Sequence, residues 1–493
     1  MKYALFLFAI TSAFAQTVGD PDPTPPEFLT AADVSAVVMN AAASVNSSQM
    51  AIAVTDRAGN ILAVYTKPDA PATSIGNFGT VVDTNELAIA LARTGAFFSN
   101  SQAPLSSRTV RFISGIHFPL GVMYTDNGAL YGIENTNRGC PLNANYLPGQ
   151  AFPPATLSDG VTPGFGPITG KANLNDTDQS AVNPGGVPLF KNGVMVGGVG
   201  VAGVAGNIAE FAAFSGAVGA GFGPTAIAAP AVVFINGIAL PFVNQTTQPD
   251  GTSPDSNVTG QFVIGPVDSP GPTPEGDLVS ATAGPLGGLS QNEVQSVVNA
   301  AVANANLTRA VIRLPIGSRA RFAIAVTDLD GSIIALHRMP DATVFSLDVA
   351  VAKARNVIYF TGSLPPLRAG TAVTNRTIGF GAQPLFPPGI ERTSPGPFFD
   401  LYKNDVANPC TQGAQAPNPN QNGIVFFPGS VPLYRNGVLI GGLGISGDGV
   451  DQDDYVTSQA SQGFQPPTKI DADQFAIFGV RLPFFKFPRN PTD

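Results

Sequence analysis

Hydrophobic and polar positions along this chain fall into one pattern written twice. Thr30-Ala-Ala-Asp33 is a capping box ahead of Val34, Val37, Val38 and Ala41 at helical spacing, and Ser290-Gln-Asn-Glu293 ahead of Val294, Val297, Val298 and Ala301 repeats both features. Each helix leads into an apolar strand hairpin, Met50–Tyr65 and Phe322–His337, whose turns carry Asp56 and Asp328. The turn pattern Asp-x-x-Gly accounts for these aspartates through local hydrogen bonds to backbone. Alanine-rich helices follow, Glu86–Phe98 and Asp348–Phe360, thin enough to lie close on a sheet; the first copy carries an extra loop, Gly76–Asn85, ahead of its helix.

The most closely repeated stretch is Pro184–Gly203 against Pro428–Gly447. In each, Asn-Gly (Asn192-Gly193 and Asn436-Gly437) separates two apolar runs, which predicts a type I′ hairpin with positive φ at both turn residues. Counting outward places Leu433 opposite Ile440 and Tyr434 opposite Leu439. Ile440, Gly442, Gly444 and Ser446 then share one face of the outgoing strand. A face of glycine admits close approach by a packed helix or by a planar ligand, of which the helix is the commoner occupant.

Long irregular inserts, Ser99–Asn183 and Thr361–Phe427, separate the alanine-rich helix from this hairpin in both copies, and share Arg108 with Arg376 and Pro119 with Pro387. Loops of that length in a compact unit are usually functional or interfacial. The expected layout is a leader at 1–15, a disordered lead at 16–28, a first copy at 29–244, a Pro/Gly/Ser-rich linker at 245–288 and a second copy at 289–487. The two copies are expected to pack as a pseudo-dimer with two-fold contacts.

Composition narrows the function. The 493 residues carry a net charge of -9 with 12% charged residues, so no basic stripe is available for nucleic acid. Met1–Ala15 combines Lys2, an apolar run and Ala13-Phe14-Ala15, a secretory signal with cleavage expected before Gln16, giving a secreted or periplasmic protein. The run is too short to span a bilayer, so no transmembrane segment is expected. Export permits a disulfide between the two cysteines. Taking Arg108 and Arg376 as equivalent puts Cys140 within two residues of the position of Cys410, so the expectation is a Cys140–Cys410 bridge between the copies.

The ordered set Ile-Ala-Val-Thr-Asp-x-x-Gly, Ala-x-Ala-Lys-Ala-Arg, the Pro-Gly-x-Val-Pro-Leu hairpin and Gln452-Asp453-Asp454 resembles the GlcG/HbpS family, haem-binding domains also fused to some corrinoid adenosyltransferases. The resemblance covers the frame of both copies but not the inserts. It implies an α/β (α+β) fold of two tandem profilin-like α/β/α domains, each with an antiparallel sheet flanked by helices. It also implies assembly into oligomers and a tetrapyrrole ligand, haem, that is sequestered or slowly degraded. The second copy keeps the pattern better, with Lys353 and Arg355 where the first has Leu91 and Arg93. The haem site implied is therefore in copy 2, around His337, Lys353, Arg355, Gly442 and Gly444.

Two histidines exist. His337 ends a strand where copy 1 has Tyr65, and either side chain can take haem iron, although a strand-end aromatic satisfied by one hydrogen bond is the commoner arrangement. His117 lies in the first insert. Histidines at non-equivalent positions exclude a Ser-His-Asp set in both copies. Asp448, Asp451, Asp453 and Asp454 could hold a hard cation, but lack EF-hand spacing and suit a helix start. The alternative to a haem carrier is an extracellular structural or interaction module that kept the fold without the ligand.

Overall fold

The computed structural model describes residues 19–135, 184–224, 233–413 and 415–492. The expected leader, Met1–Ala15, and Cys140 lie outside them. In the first half the chain runs α1 (Ala31–Ser44), β1 (Ala51–Asp56), β2 (Ile61–Thr66), the small hairpin β3 (Thr73–Ile75) and β4 (Val81–Asp83), and α2 (Thr84–Phe98). It continues through α3 (Ser107–Phe112), β5 (Gly186–Lys191), β6 (Val194–Ala202), α4 (Gly206–Gly219) and the hairpin β7 (Phe234–Ile235) and β8 (Ile238–Ala239). Two strands follow, β9 (Gln261–Ile264) and β10 (Gly276–Val279). The second half has α5 (Gln291–Ala305), β11 (Phe322–Thr327), β12 (Ile333–Arg338), α6 (Phe345–Phe360), α7 (Asn375–Gly381) and α8 (Phe399–Ala407). Then come β13 (Ser430–Arg435), β14 (Val438–Gly447), α9 (Val450–Ala460) and the hairpin β15 (Ala476–Ile477) and β16 (Val480–Arg481).

Both capping boxes form: Thr30 Oγ1 accepts from Asp33 N at 3.2 Å, and Ser290 Oγ from Glu293 N at 3.3 Å. Both Asn-Gly turns have positive φ at each central residue, 50° and 80° in the first and 52° and 80° in the second, as a type I′ turn requires. One register expectation fails. Leu433 pairs with Gly441, not Ile440, because a bulge between Leu433 and Tyr434 takes up one residue; Tyr434 does pair with Leu439.

Two five-stranded antiparallel sheets result, in the orders β5-β6-β1-β2-β9 and β10-β12-β11-β14-β13. They correspond strand for strand. In each half a helix pair, α1 with α4 or α5 with α9, covers one face, and the alanine-rich helix, α2 or α6, lies on the other. The glycine face is what lets that helix so close. A Cβ on Gly198 would overlap the Ala92 carbonyl, on Gly200 that of Ala88, on Gly442 that of Ala354 and on Gly444 that of Ala350. The occupant of the glycine face is therefore a helix, and the fold is mixed α and β with antiparallel sheets between helical layers.

The segment 245–288 is not a free linker. Its strands complete the two sheets: Tyr65 pairs with Phe262, and His337 with Asp277. The turn aspartates tie its remainder down, Asp56 accepting from Ser269 Oγ at 3.0 Å and Asp328 from Gly287 N at 2.7 Å. Nor is the polar lead from residue 19 onward unattached. Thr24 N donates to Glu275 Oε2 at 3.1 Å, and Asn306 Nδ2 donates to the Gly19 carbonyl at 2.9 Å, so the lead straps the second half.

The halves share a buried apolar cluster in which Phe98 stacks on Phe345, ring centroids 4.0 Å apart. Beside it Asp341 takes Arg57 at 2.8 Å and Arg313 at 2.7 Å, both nearly buried. Those arginines outweigh the burial that would otherwise raise the Asp341 pKa, and hold it far below the usual carboxylate range. The contact is not reciprocal: the positions matching Arg57 and Asp341 are Leu329 and Asp69, which cannot form the same ion pair. At this point the halves meet through non-equivalent surfaces, unlike the expected two-fold contact. Cys410 is disulfide-bonded.

Candidate functional site

The residues singled out in the sequence do not gather into one pocket. Ile324 pairs with both His337 and Ile445, whereas Ala325 pairs with Leu336 and Gly444. Alternation along the strands therefore sets His337 and Gly444 on opposite faces of the sheet. Gly442 and Gly444 lie beneath α6. On that helix Arg355 is fully buried, its Nε donating to the Gly331 carbonyl at 2.9 Å and its Nη1 to Asn422 Oδ1 at 2.9 Å. Lys353 Nζ, also buried, donates to Asp453 Oδ2 and the Ile445 carbonyl, both at 2.8 Å. These groups hold the core of copy 2 together.

The acidic cluster is spent the same way. Asp454 and Asp451 each receive Arg376 at 2.5 Å, Asp451 also meets Lys486 at 3.2 Å, and Asp448 binds Arg313. Among the described residues no group of three or more His, Cys, Asp or Glu is placed to hold a metal ion. The pair Arg376–Asp454 has its counterpart in Arg108–Glu210 of the first half, at 2.6 Å. Lys353–Asp453 is instead replaced there by Leu91 and Ala209, so both members of that ion pair change together.

His337 is held by groups outside the expected site: Nδ1 lies 2.7 Å from Asp277 Oδ1 on β10, and Nε2 3.0 Å from Asp20 Oδ2 on the strap. Only a doubly protonated ring donates to both. Burial by itself would lower the pKa, but Asp20 and then Asp277 outweigh it and hold it above the ordinary 6.5. A raised histidine pKa gives stability that is complete below the unfolded value and lost as pH rises through the folded one. Amide hydrogen exchange around Asp20 is therefore expected to be slow near about pH 6 and, after correction for intrinsic rates, faster near about pH 9. His337→Ala should remove the difference, and pH-independent protection in the unmodified chain would count against the clamp.

The described residues do form a large concave site, elsewhere. A cavity of about 860 Å³ opens between the halves. Its size is within the roughly 300–1,000 Å³ of small-molecule and cofactor sites. The first half supplies Phe98, Leu105, Ile113 and Phe118; the second supplies Ile312, Phe345, Phe380, Phe426 and the chain end with Phe487. Cations also line it: Arg309, Lys486 and Arg489, with Arg376 and Arg313 deeper. The sequence reading missed this site. Its signal was the stretch between α5 and β11, far longer than that between α1 and β1, which carries Arg309, Arg313, Arg319 and Arg321 in a chain with only 25 basic residues.

The architecture defines a tandem of two α/β/α units with antiparallel sheets. Residues 289–462 match the family described as haem degrading protein HbpS-like. Corrinoid adenosyltransferase PduO of Citrobacter freundii is 29% identical over 174 residues, 35% of this chain and 38% of that protein. The chain thus spans little more than a third of that curated relative. Among solved structures, a PduOC:haem complex covers 36% of this chain and 97% of its own at 23% identity, with a TM-score of 0.25. HbpS of Streptomyces reticuli covers 35% and 83% at 16% identity, with a TM-score of 0.21.

Proposed function

We propose that this is an exported tetrapyrrole-binding protein that sequesters haem or a close relative of it. The observation that carries the reading is the inter-half cavity, lined by aromatic and aliphatic side chains and by several cations. A planar macrocycle with an apolar body and carboxylates at one edge has matching chemistry. The family of residues 289–462 supports the same ligand class. Phe380 and Phe487 would face the ring, and Arg309, Lys486 and Arg489 its acidic edge. Bound haem would supply a redox-active iron; the chain's part is to exclude water and fix orientation. Export rests on the Met1–Ala15 pattern.

The chain contains no tryptophan, so Phe487→Trp gives a single reporter at the cavity wall. Adding haem is expected to quench it to an end point of one equivalent per chain, with a shift of the Soret band. Absence of both at tens of micromolar haem would favour the interaction-module alternative.

A further inference from the structure

We infer that the cavity selects its ligand by two carboxylates, read by Arg309 and Arg489, and not by the metal, so that it takes dicarboxylate macrocycles with or without iron. This rests on the tetrapyrrole reading above and narrows it.

The first observation is the state of the cations. Arg313 is bound by Asp448 and Asp341, Arg376 by Asp454 and Asp451, and Lys486 by Asp451. Arg309 and Arg489 also line the cavity, and neither has a carboxylate partner among the described residues. Arg309 Nη2 donates to the Arg489 carbonyl at 3.2 Å, and Arg309 N to the Pro491 carbonyl at 2.7 Å, which moors the chain end beside the α5–β11 loop. In a chain of net charge -9, two cavity-lining guanidiniums without carboxylate partners among the described residues form a site for a dianion. Each fork can take one carboxylate in two parallel hydrogen bonds.

The second observation concerns the iron. Haem iron is usually held by His, Cys, Met or Tyr. None of these side chains is among the described residues lining the cavity. His337 is held by Asp20 and Asp277, and His117 Nε2 by Glu391 at 2.8 Å, and neither histidine lines the cavity. The described lining suits a ring and its carboxylates and offers the iron no side chain of the usual kind.

The test titrates the full chain with haem, metal-free protoporphyrin and metal-free protoporphyrin dimethyl ester, reading Soret shift, porphyrin fluorescence and Phe487→Trp quenching. The metal-free diacid is expected to bind within about threefold of haem, and the diester at least about tenfold more weakly. Arg309→Gln and Arg489→Gln should each weaken the diacid about tenfold and leave the diester unchanged, and Arg489→Gln, whose side chain holds none of the described residues in place, should leave the thermal melt unchanged. Haem binding without metal-free binding, or equal binding of diacid and diester, would overturn this inference while leaving the tetrapyrrole reading standing. Binding of none of the three would overturn both.

Discussion

Replacing Lys353 with leucine is expected to cost the fold about 3–5 kcal/mol, and adding Asp453→Ala to the same chain to recover most of that loss. Lys353 and Asp453 are both buried and 2.8 Å apart. Burial lowers the lysine's pKa and, outweighing Lys353, pushes Asp453 up to about 7, so each charge is tolerated only because of the other. Removing the lysine leaves a carboxylate beside Asp454 and Asp448 with its cation gone. The first half shows the apolar solution at the same place, Leu91 with Ala209, where no charge needs a partner. Because Asp453 can escape its penalty by taking up a proton, the single variant should lose less stability at about pH 5 than at about pH 8. Urea unfolding of the four chains of the cycle measures this. If the double variant proves no more stable than the single, the two residues are not an isolated pair and the comparison with the first half misleads.

Gly444→Ala is expected to destabilise by about 3 kcal/mol or more. The added methyl would overlap the Ala350 carbonyl and stand 2.6 Å from Ala354 N, both main-chain atoms of α6. A side chain could turn aside; a helix backbone can only lift from the sheet. Lifting it would strain the Arg355 and Lys353 contacts that fasten α6 to the Gly331 and Ile445 carbonyls. Gly200→Ala should act alike in the first half, where the Ala88 carbonyl and Ala92 N occupy the same space. A thermal melt within two degrees of the unmodified chain would show that α6 has slack the packing does not suggest.

Local rules carried far in this chain. The capping residues Thr30 and Ser290, the Asn-Gly turns and the glycine face each state a backbone geometry within a few residues, and each was readable for that reason. The strands β9 and β10 were not, because Gln261–Ile264 and Gly276–Val279 are short, sit among prolines and glycines, and become strands only by pairing with β2 and β12. The same holds for His337, whose partners Asp20 and Asp277 are distant in sequence and lay in stretches read as a disordered lead and a linker. Lys353, Arg355 and the aspartates of α9 were read as one set in copy 2, yet the sequence could not say that Lys353 meets Asp453 in a core while Arg355 turns to Gly331 and Asn422. The cavity was hidden for a further reason: its walls come from both halves and from the chain end, so no window of sequence contains it.

The placement of the two closing strands also bears on how the protein is made. In the first half the edge strand β9 follows everything else in its sheet, whereas in the second the edge strand β10 precedes it. A chain emerging N-terminus first therefore finishes its two sheets in opposite senses. The first stays open along β2 through the whole synthesis of the first insert and is sealed only when Gln261–Ile264 emerges. The second has its seal waiting before β11 and β12 exist, so the later half never needs to present that unpaired edge to its neighbours.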